Sequence, residues 1–179
     1  MIRKYIIYLL FSLLFFNSLN AKTLIVYFSL TGNTRKVANY IKEYTKADIF
    51  EIVPTELYSK NSQVASDRNL EEYEENKNVG IKTKIKNIDE YDNIIIGFPI
   101  WSGKEPQIIR SFLYQNNVNG KTVIPFCTTA FTSIDKSIED IKNIIPNSTI
   151  LQSIEIRSSN IDNSITNINR WLNNIGIKN

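Results

Sequence analysis

Polar groups suited to binding an anion are concentrated in residues 29–34, with the sequence SLTGNT. The segment follows an apolar run and precedes a predicted helix, so Gly32 permits a tight turn and the helix offers unpaired backbone N–H groups and the positive end of its dipole. This combination predicts a phosphate site in which hydroxyl groups replace a lysine. The pattern is neither a Walker A loop nor a Gly-x-Gly-x-x-Gly turn. The alternative is a helix N-cap with spare hydroxyls, but a cap needs only one such residue.

A tryptophan stands in the loop expected after the third strand, residues 99–103. Trp101 precedes Gly103 and lies between Pro99 and Pro106. In an open α/β sheet the ligand lies beyond the carboxyl ends of the strands, where the strand order reverses. A flat ring at that place can stack on an aromatic ligand, an interaction worth about 0.5–1.5 kcal/mol beyond burial. The alternative is that Trp101 only packs against the protein.

A third polar segment, residues 127–133 with the sequence CTTAFTS, follows the fourth predicted strand. Its backbone and hydroxyl groups can border the same ring. Cys127 is the only cysteine of the chain, and it is interpreted as a buried small residue rather than a nucleophile, because no histidine is present to activate it.

The composition excludes several kinds of chemistry. The chain has 179 residues, a formal net charge of +3, one cysteine and no histidine. Histidine-based acid/base catalysis, Ser-His-Asp triads, His-ligated metals, an internal disulfide and a Cys-ligated iron–sulfur cluster are therefore excluded. The chemistry must come from backbone amides, hydroxyls, carboxylates, aromatic rings or a bound cofactor.

Five apolar runs predict the strands that would position these loops. Continuous β-branched runs are typical of parallel strands covered on both faces. Four stripes of apolar residues at helical spacing lie between or after them, and a further helix is predicted within residues 63–78. The alternation predicts an α/β domain with a mostly parallel sheet. The predicted strands are Thr23–Phe28, Asp48–Val53, Asn93–Phe98, Thr122–Phe126 and Thr149–Ile156.

Residues 1–21 have the pattern of a secretory signal peptide. Two basic residues, Arg3 and Lys4, precede an uncharged run from Tyr5 to Phe16. That run is shorter than the ~20 residues that cross a bilayer. We expect cleavage after Ala21, export to the periplasm or outside the cell, and a single domain over residues 22–179; the alternative is an uncleaved membrane anchor. Loss of the segment leaves a net charge of +1, which gives no case for nucleic-acid binding.

Taken together, the three polar segments resemble those of the flavodoxin family. Residues 29–34 resemble that family's phosphate loop for flavin mononucleotide (FMN), residues 99–103 its first flavin-ring loop, and residues 125–128 the start of its second. The resemblance covers residues 22–177. It implies a flavodoxin-like, doubly wound, open parallel five-stranded sheet of order 2-1-3-4-5 with helices on both faces.

The resemblance also implies FMN as the cofactor and assigns roles within its site. The hydroxyl and amide side chains of residues 29–34 would hold the phosphate, and Trp101 would stack on the isoalloxazine. The chain departs from the family at Ser102, where a second aromatic residue is common, and at residues 129–131, which replace a glycine-rich turn. The implied site residues are Ser29, Leu30, Thr31, Gly32, Asn33, Thr34, Pro99, Ile100, Trp101, Ser102, Gly103, Cys127, Thr128, Thr129, Ala130 and Phe131.

The expected function is that of an exported FMN protein that carries electrons to or from a partner protein or a small-molecule acceptor, with Trp101 and Phe131 shielding the ring. FMN would supply the redox chemistry, so no catalytic acid or base is needed. Contact with a membrane is expected only through residues 1–21 if they stay attached. Two alternatives stay open: an FMN-dependent NAD(P)H:acceptor oxidoreductase of the quinone type, and a binding protein on a flavodoxin fold without cofactor.

Overall fold

The computed structural model describes residues 21–177 of the chain. Strands and helices alternate, as the apolar patterns predict, and short 3-10 turns lie at Ile88–Glu90, Ser158–Asn160 and Asp162–Ser164. The elements are β1 (Thr23–Tyr27), α1 (Asn33–Thr45), β2 (Asp48–Glu51), α2 (Ser62–Glu74), β3 (Asn93–Pro99), α3 (Gln107–Gln115), β4 (Thr122–Thr129), α4 (Asp135–Ile144), β5 (Thr149–Ile150), β6 (Ile154–Arg157) and α5 (Ile165–Asn174).

All strand pairings in the sheet are parallel, and the order is β2-β1-β3-β4-β5, with β6 also pairing with β4. The predicted doubly wound order 2-1-3-4-5 is therefore confirmed. The order reverses between β1 and β3, so the carboxyl ends of these two central strands open onto one crevice.

The fifth strand is interrupted, whereas the sequence predicts one continuous run. Val123 of β4 pairs with Ile150, and Phe126 of β4 pairs with Ile154. The two pairs are three residues apart along β4 but four residues apart along the edge strand. The edge strand thus carries one extra residue between β5 and β6, which is the count of a β-bulge.

Helices cover both faces of the sheet because β1 and β3 are apolar on both sides. On one face, Leu24 and Val26 pack in the cluster that includes α2, α3 and α4. On the other, Ile25 and Tyr27 pack with α1 and α5. Burial on both faces fixes the register, since a slip by one residue would exchange the two sets.

Glycine is required in the middle of β3. Gly97 pairs with Phe126, and a Cβ on Gly97 would lie 2.0 Å from the ring of Phe126. The ring lies over the glycine, so this part of the sheet is close-packed directly beneath the loops.

Among the helices of residues 21–177, none has both the length and the hydrophobicity to span a bilayer. The predicted signal peptide, residues 1–21, lies outside the described residues except for Ala21.

Candidate functional site

The three predicted loops meet at the carboxyl ends of β1, β3 and β4. The backbone N–H of Phe28, which follows β1, donates to Gly97 O of β3 at 3.0 Å. The N–H of Ile100, after β3, donates to Thr128 O of β4 at 3.0 Å. The Thr34 and Thr128 hydroxyls are 2.8 Å apart and tie the first loop to β4. The structure therefore brings the sequence-predicted segments to one edge of the sheet.

The first loop ends in a helix start that no side chain of the described residues caps. Gly32 is the N-cap of α1 and has a φ of 95°, a left-handed conformation that glycine adopts without strain. Within residues 21–177, the backbone N–H groups of Asn33, Thr34 and Arg35 have no hydrogen-bond acceptor. The alternative of a hydroxyl N-cap is therefore wrong, and three backbone donors stay available at the positive end of the helix dipole.

Side chains of the first loop differ in their availability. Ser29 Oγ accepts from the N–H of Gly32 at 3.1 Å and so stabilises the turn. Thr31 is exposed, whereas Thr34 is buried and hydrogen-bonded to Thr128. Thr34 therefore presents its backbone N–H to the loop, while its hydroxyl is engaged below.

The two basic residues that follow the loop are both paired with acids. The Arg35 guanidinium binds the carboxylate of Glu51, which also accepts from Tyr27. Lys36 Nζ lies 2.6 Å from Asp162 Oδ1. An anion here would therefore be attracted by the positive end of the helix dipole and by neutral N–H and O–H donors, and not by a free basic side chain of this pair.

The second loop is a tight turn over Trp101–Lys104. The N–H of Trp101 donates to Lys104 O at 2.8 Å, and the N–H of Lys104 donates back to Trp101 O at 3.0 Å. Ser102 and Gly103 have φ values of 48° and 86°. Positive φ at both central positions is the pattern of a type I′ turn. Gly103 suits this conformation, and the Ser102 hydroxyl is held 2.9 Å from Ser66 Oγ of α2.

The indole of Trp101 is one of three rings packed edge to face. Its centroid lies 5.4 Å from that of Phe28 and 5.2 Å from that of Tyr58, with interplanar angles of 84° and 85°. Trp101 nevertheless stays partly exposed. The packing interpretation and the ligand interpretation are therefore compatible, because the neighbouring rings fix the indole without covering it completely.

Tyr58 and Phe28 are members of the site that the sequence did not indicate. The Tyr58 hydroxyl donates to Glu72 Oε2 at 2.5 Å, and Arg68 donates to the same carboxylate at 2.8 Å. Burial and the Glu72 carboxylate raise the pKa of Tyr58, so the phenol stays protonated. The sequence does not single out either residue: Phe28 ends the first predicted strand, and Tyr58 lies between the second predicted strand and the helix predicted within residues 63–78.

The third segment differs from its prediction as a loop. β4 continues to Thr129, three residues beyond the predicted end at Phe126, so residues 127–129 belong to the strand. Cys127 is fully buried in the core, and burial raises the pKa of its thiol to about 12. A protonated, inaccessible thiol is no nucleophile, as the sequence interpretation holds. The Thr129 hydroxyl closes the following turn through contacts of 2.9 Å with the N–H and the carbonyl of Thr132.

Phe131 projects from that turn with 87% of its surface exposed. The guanidinium of Arg157 lies 5.3 Å from its ring centroid and also donates to Ala130 O. A side chain this exposed does not fill the crevice between the loops. The structure thus leaves Phe131 at the rim of the candidate site.

The family model described as Flavodoxin matches residues 22–175. The chain belongs to the flavodoxin family. No curated protein sequence matches it.

Solved structures agree with this assignment. A candidate flavoprotein from Bacteroides uniformis is 30% identical, with a TM-score of 0.74, and the match covers 84% of this flavodoxin and 99% of that chain. A flavoprotein from Lactobacillus acidophilus, solved in complex with FMN, is 26% identical, with a TM-score of 0.68, covering 85% of this chain and 99% of that one.

The residues of this flavodoxin fit the parts of a flavin nucleotide. The uncapped start of α1 suits a phosphate, and the partly exposed indole of Trp101 suits an aromatic ring system. In residues 21–177 no group of three or more Cys, Asp or Glu side chains is arranged to hold a metal ion. The donor set is thus that of an organic anion with a flat ring.

Proposed function

We propose that this flavodoxin binds FMN at the carboxyl ends of β1, β3 and β4 and carries electrons. The observation that carries the proposal is the uncapped N-terminus of α1, which lies at the same edge of the sheet as the Trp101 turn. The FMN-bound relative from Lactobacillus acidophilus supports the choice of cofactor.

The phosphate end of the site relies on backbone donors. The N–H groups of Asn33, Thr34 and Arg35 are free of protein acceptors in the described residues, and Thr31 adds an exposed hydroxyl. Ser29 supports the turn from below. Binding an anion through preformed neutral donors requires little reorganisation, because Gly32 already holds the loop open.

The ring end of the site relies on a fixed aromatic side chain. Phe28 and Tyr58 hold the Trp101 indole at right angles to their own rings. When bound, FMN supplies the electron-accepting chemistry. The protein orients the ring system, excludes water from the side that Trp101 covers, and sets the potential through the backbone groups of residues 99–103.

A carrier role is favoured over an enzyme by the side chains near the site. The chain has no histidine, and Cys127 is buried with a protonated thiol. Neither a histidine nor a cysteine thiolate therefore supplies an acid, a base or a nucleophile beside Trp101. The expected partners are a redox protein or a small-molecule acceptor.

Export is a separate part of the proposal. The basic start, the short uncharged run and the small residue at position 21 favour cleavage after Ala21 and a role outside the cytoplasm. N-terminal sequencing of protein recovered from the periplasm or medium should begin at Lys22. Recovery of the full-length chain in the cytoplasm only would contradict export and leave the flavin proposal standing.

Titration of FMN with the purified protein tests the flavin proposal. We expect quenching of flavin fluorescence that saturates at one FMN per chain, and a yellow protein. Reduced nicotinamide should not be oxidised at an appreciable rate without a partner protein. Absence of any quenching would contradict FMN binding, whereas rapid oxidation of NADH or NADPH by the FMN-loaded protein would favour the oxidoreductase alternative.

A further inference from the structure

A carboxyl group is buried beneath the Trp101 turn, and it forms no salt bridge with any residue between positions 21 and 177. Glu105 directly follows the turn and has no exposed surface. Its Oε2 atom has no hydrogen-bond partner in the described residues, and neither has the buried Ser137 hydroxyl of α4. Among residues 21–177, its one hydrogen bond with another side chain is the 3.3 Å contact from the Tyr73 hydroxyl to Oε1. An isolated buried carboxylate is strongly unfavourable, so this arrangement favours the protonated acid.

The two basic side chains near Glu105 form their ion pairs with a different acid, Asp140. Asp140 lies 3.1 Å from Lys104 Nζ and 3.6 Å from Arg110 Nη1. Burial alone would raise the pKa of Asp140, but hydrogen bonds from Tyr73 and Lys104 hold it below its usual value. The titratable and charged groups that face Glu105 are Tyr73 of α2, Arg110 of α3, Asp140 of α4 and Lys104 of the turn itself.

The hydrogen bonds of Tyr73 also favour a protonated Glu105. The Tyr73 hydroxyl has one proton, which it donates to Asp140, and its oxygen accepts from Arg110 Nη1 at 2.7 Å. At 3.3 Å, Glu105 Oε1 is the more distant of the two acceptors for that single proton, so Tyr73 does little to stabilise a charged Glu105. Burial raises the pKa of Glu105 to about 7, with a smaller rise from the Asp140 charge, against the opposing effects of its own backbone N–H, of Ser137 and of Arg110.

We propose that Glu105 is a positioning residue that holds or releases the Trp101 turn according to its own protonation. When Glu105 is a neutral acid, Lys104 and Arg110 stay paired with Asp140. As a carboxylate it competes with Asp140 for them. Lys104 is joined to Trp101 by both backbone hydrogen bonds of the turn, which provide a direct connection from Lys104 to the residue that carries the indole. The consequence for flavin affinity rests on the proposed FMN site, whereas the movement of Trp101 does not.

Fluorescence of Trp101 in the flavin-free protein tests the movement directly. The chain has two tryptophans, and Trp171→Phe leaves Trp101 as the single reporter. We expect its emission and its quenching by acrylamide to change sigmoidally between pH 5 and pH 9. The change should be absent in Glu105→Gln, which keeps the shape and hydrogen-bonding capacity of the neutral acid. It should persist in Glu139→Gln, where the altered side chain is exposed on α4.

Two results would overturn the proposal. One is Trp101 emission and quenching that do not change between pH 5 and pH 9 in the Trp171→Phe protein. This result does not depend on whether a variant at position 105 folds. The other is an unchanged transition in a folded Glu105→Gln protein. A normal transition together with no flavin binding would contradict the proposed function and leave this inference intact.

Flavin affinity gives a second measurement. Riboflavin lacks the phosphate, so its affinity reports the ring end without the titration of the phosphate itself. We expect riboflavin affinity to fall about tenfold from pH 6 to pH 8.5 in the parent and to stay constant in Glu105→Gln. Equal pH dependence in both proteins would contradict the coupling between Glu105 and the site.

Discussion

The loop after β1 and the turn after β3 border the same crevice but are held in opposite ways. Within residues 21–177 the first loop has two side-chain hydrogen bonds, from Gly32 N–H to Ser29 Oγ and between the Thr34 and Thr128 hydroxyls, and the three backbone donors at the start of α1 have no acceptor. The Trp101 turn is secured by two backbone hydrogen bonds, two neighbouring rings and the pairing of Lys104 with Asp140. Groups that bind charge are kept free, and the group that binds a ring is fixed by packing.

The difference follows from what each contact requires. A hydrogen bond to an anion is strong only if its donor is not already engaged in the protein. Stacking depends on area and orientation, so the ring benefits from being immobilised beforehand. The two loops should therefore respond differently to substitution: the first in affinity with little loss of stability, the second in both.

Adding a negative charge to the first loop should have the largest effect. Thr31 is exposed, so Thr31→Glu should fold normally. A carboxylate about 4 Å from a phosphate charge is unfavourable by ~4 kcal/mol at an effective dielectric constant of ~20, which corresponds to about 1,000-fold weaker FMN binding. Fluorescence titration measures this. Thr31→Gln is the matched neutral control, and riboflavin affinity should be equal in both variants. Equal loss of FMN and riboflavin binding would place the phosphate elsewhere.

Neutralising Glu105 should stabilise the protein above neutral pH. A carboxyl whose pKa is raised from 4.5 to about 7 in the folded protein makes folding less favourable as pH rises through that interval, and the penalty then stays constant. The free energy of unfolding of Glu105→Gln, minus that of the parent, should therefore grow by about 3 kcal/mol between pH 4.5 and pH 8. Urea unfolding at each pH measures it. Glu139→Gln should show no such growth, and a constant difference for Glu105→Gln would contradict burial of an unpaired acid.

Removing the indole should affect stability and flavin binding together. Trp101→Ala loses the edge-to-face contacts with Phe28 and Tyr58, so we expect a loss of about 2 kcal/mol in the free energy of unfolding. FMN affinity should fall at least about fivefold, or ~1 kcal/mol. Trp101→Phe should restore most of both. If Trp101→Ala lost stability but bound FMN normally, Trp101 would be a packing residue only.

Much of this architecture could be predicted from the order of apolar segments. The runs that became β1, β3 and β4 are apolar on both faces, and that pattern suffices for a parallel sheet with its loops at one edge. The sequence predicts the end of β4 three residues too early because Cys127, Thr128 and Thr129 are small or polar, yet they pair with β3 and β6 and are buried. Long-range pairing, which local propensity does not contain, extends the strand.

The members of the site that escaped prediction are brought there by tertiary packing. Tyr58 lies in the segment with the weakest periodicity and reaches Trp101 because α2 holds its hydroxyl through Glu72. Glu105 is a charged residue after a turn, a pattern that favours exposure, but contacts with three helices bury it completely. Neither placement leaves a periodic signal in the sequence.

Substitution of Thr34 should have the smallest effect of the four, and it distinguishes phosphate binding by the side-chain hydroxyl from binding by the backbone N–H. The resemblance to other flavodoxins assigns its hydroxyl to the phosphate, whereas the structure pairs that hydroxyl with Thr128 at 2.8 Å in the interior. Thr34→Val keeps the shape and the backbone N–H but leaves the Thr128 hydroxyl without its partner, so the free energy of unfolding should fall by about 1 kcal/mol. FMN affinity should change less than about twofold, because the donor that faces the loop is the backbone N–H.

A loss of tenfold or more for FMN but not for riboflavin would show instead that the hydroxyl leaves Thr128 to bind the phosphate. The first loop would then be reorganised on binding, and the contrast with the prepacked Trp101 turn would become one of mobility as well as chemistry.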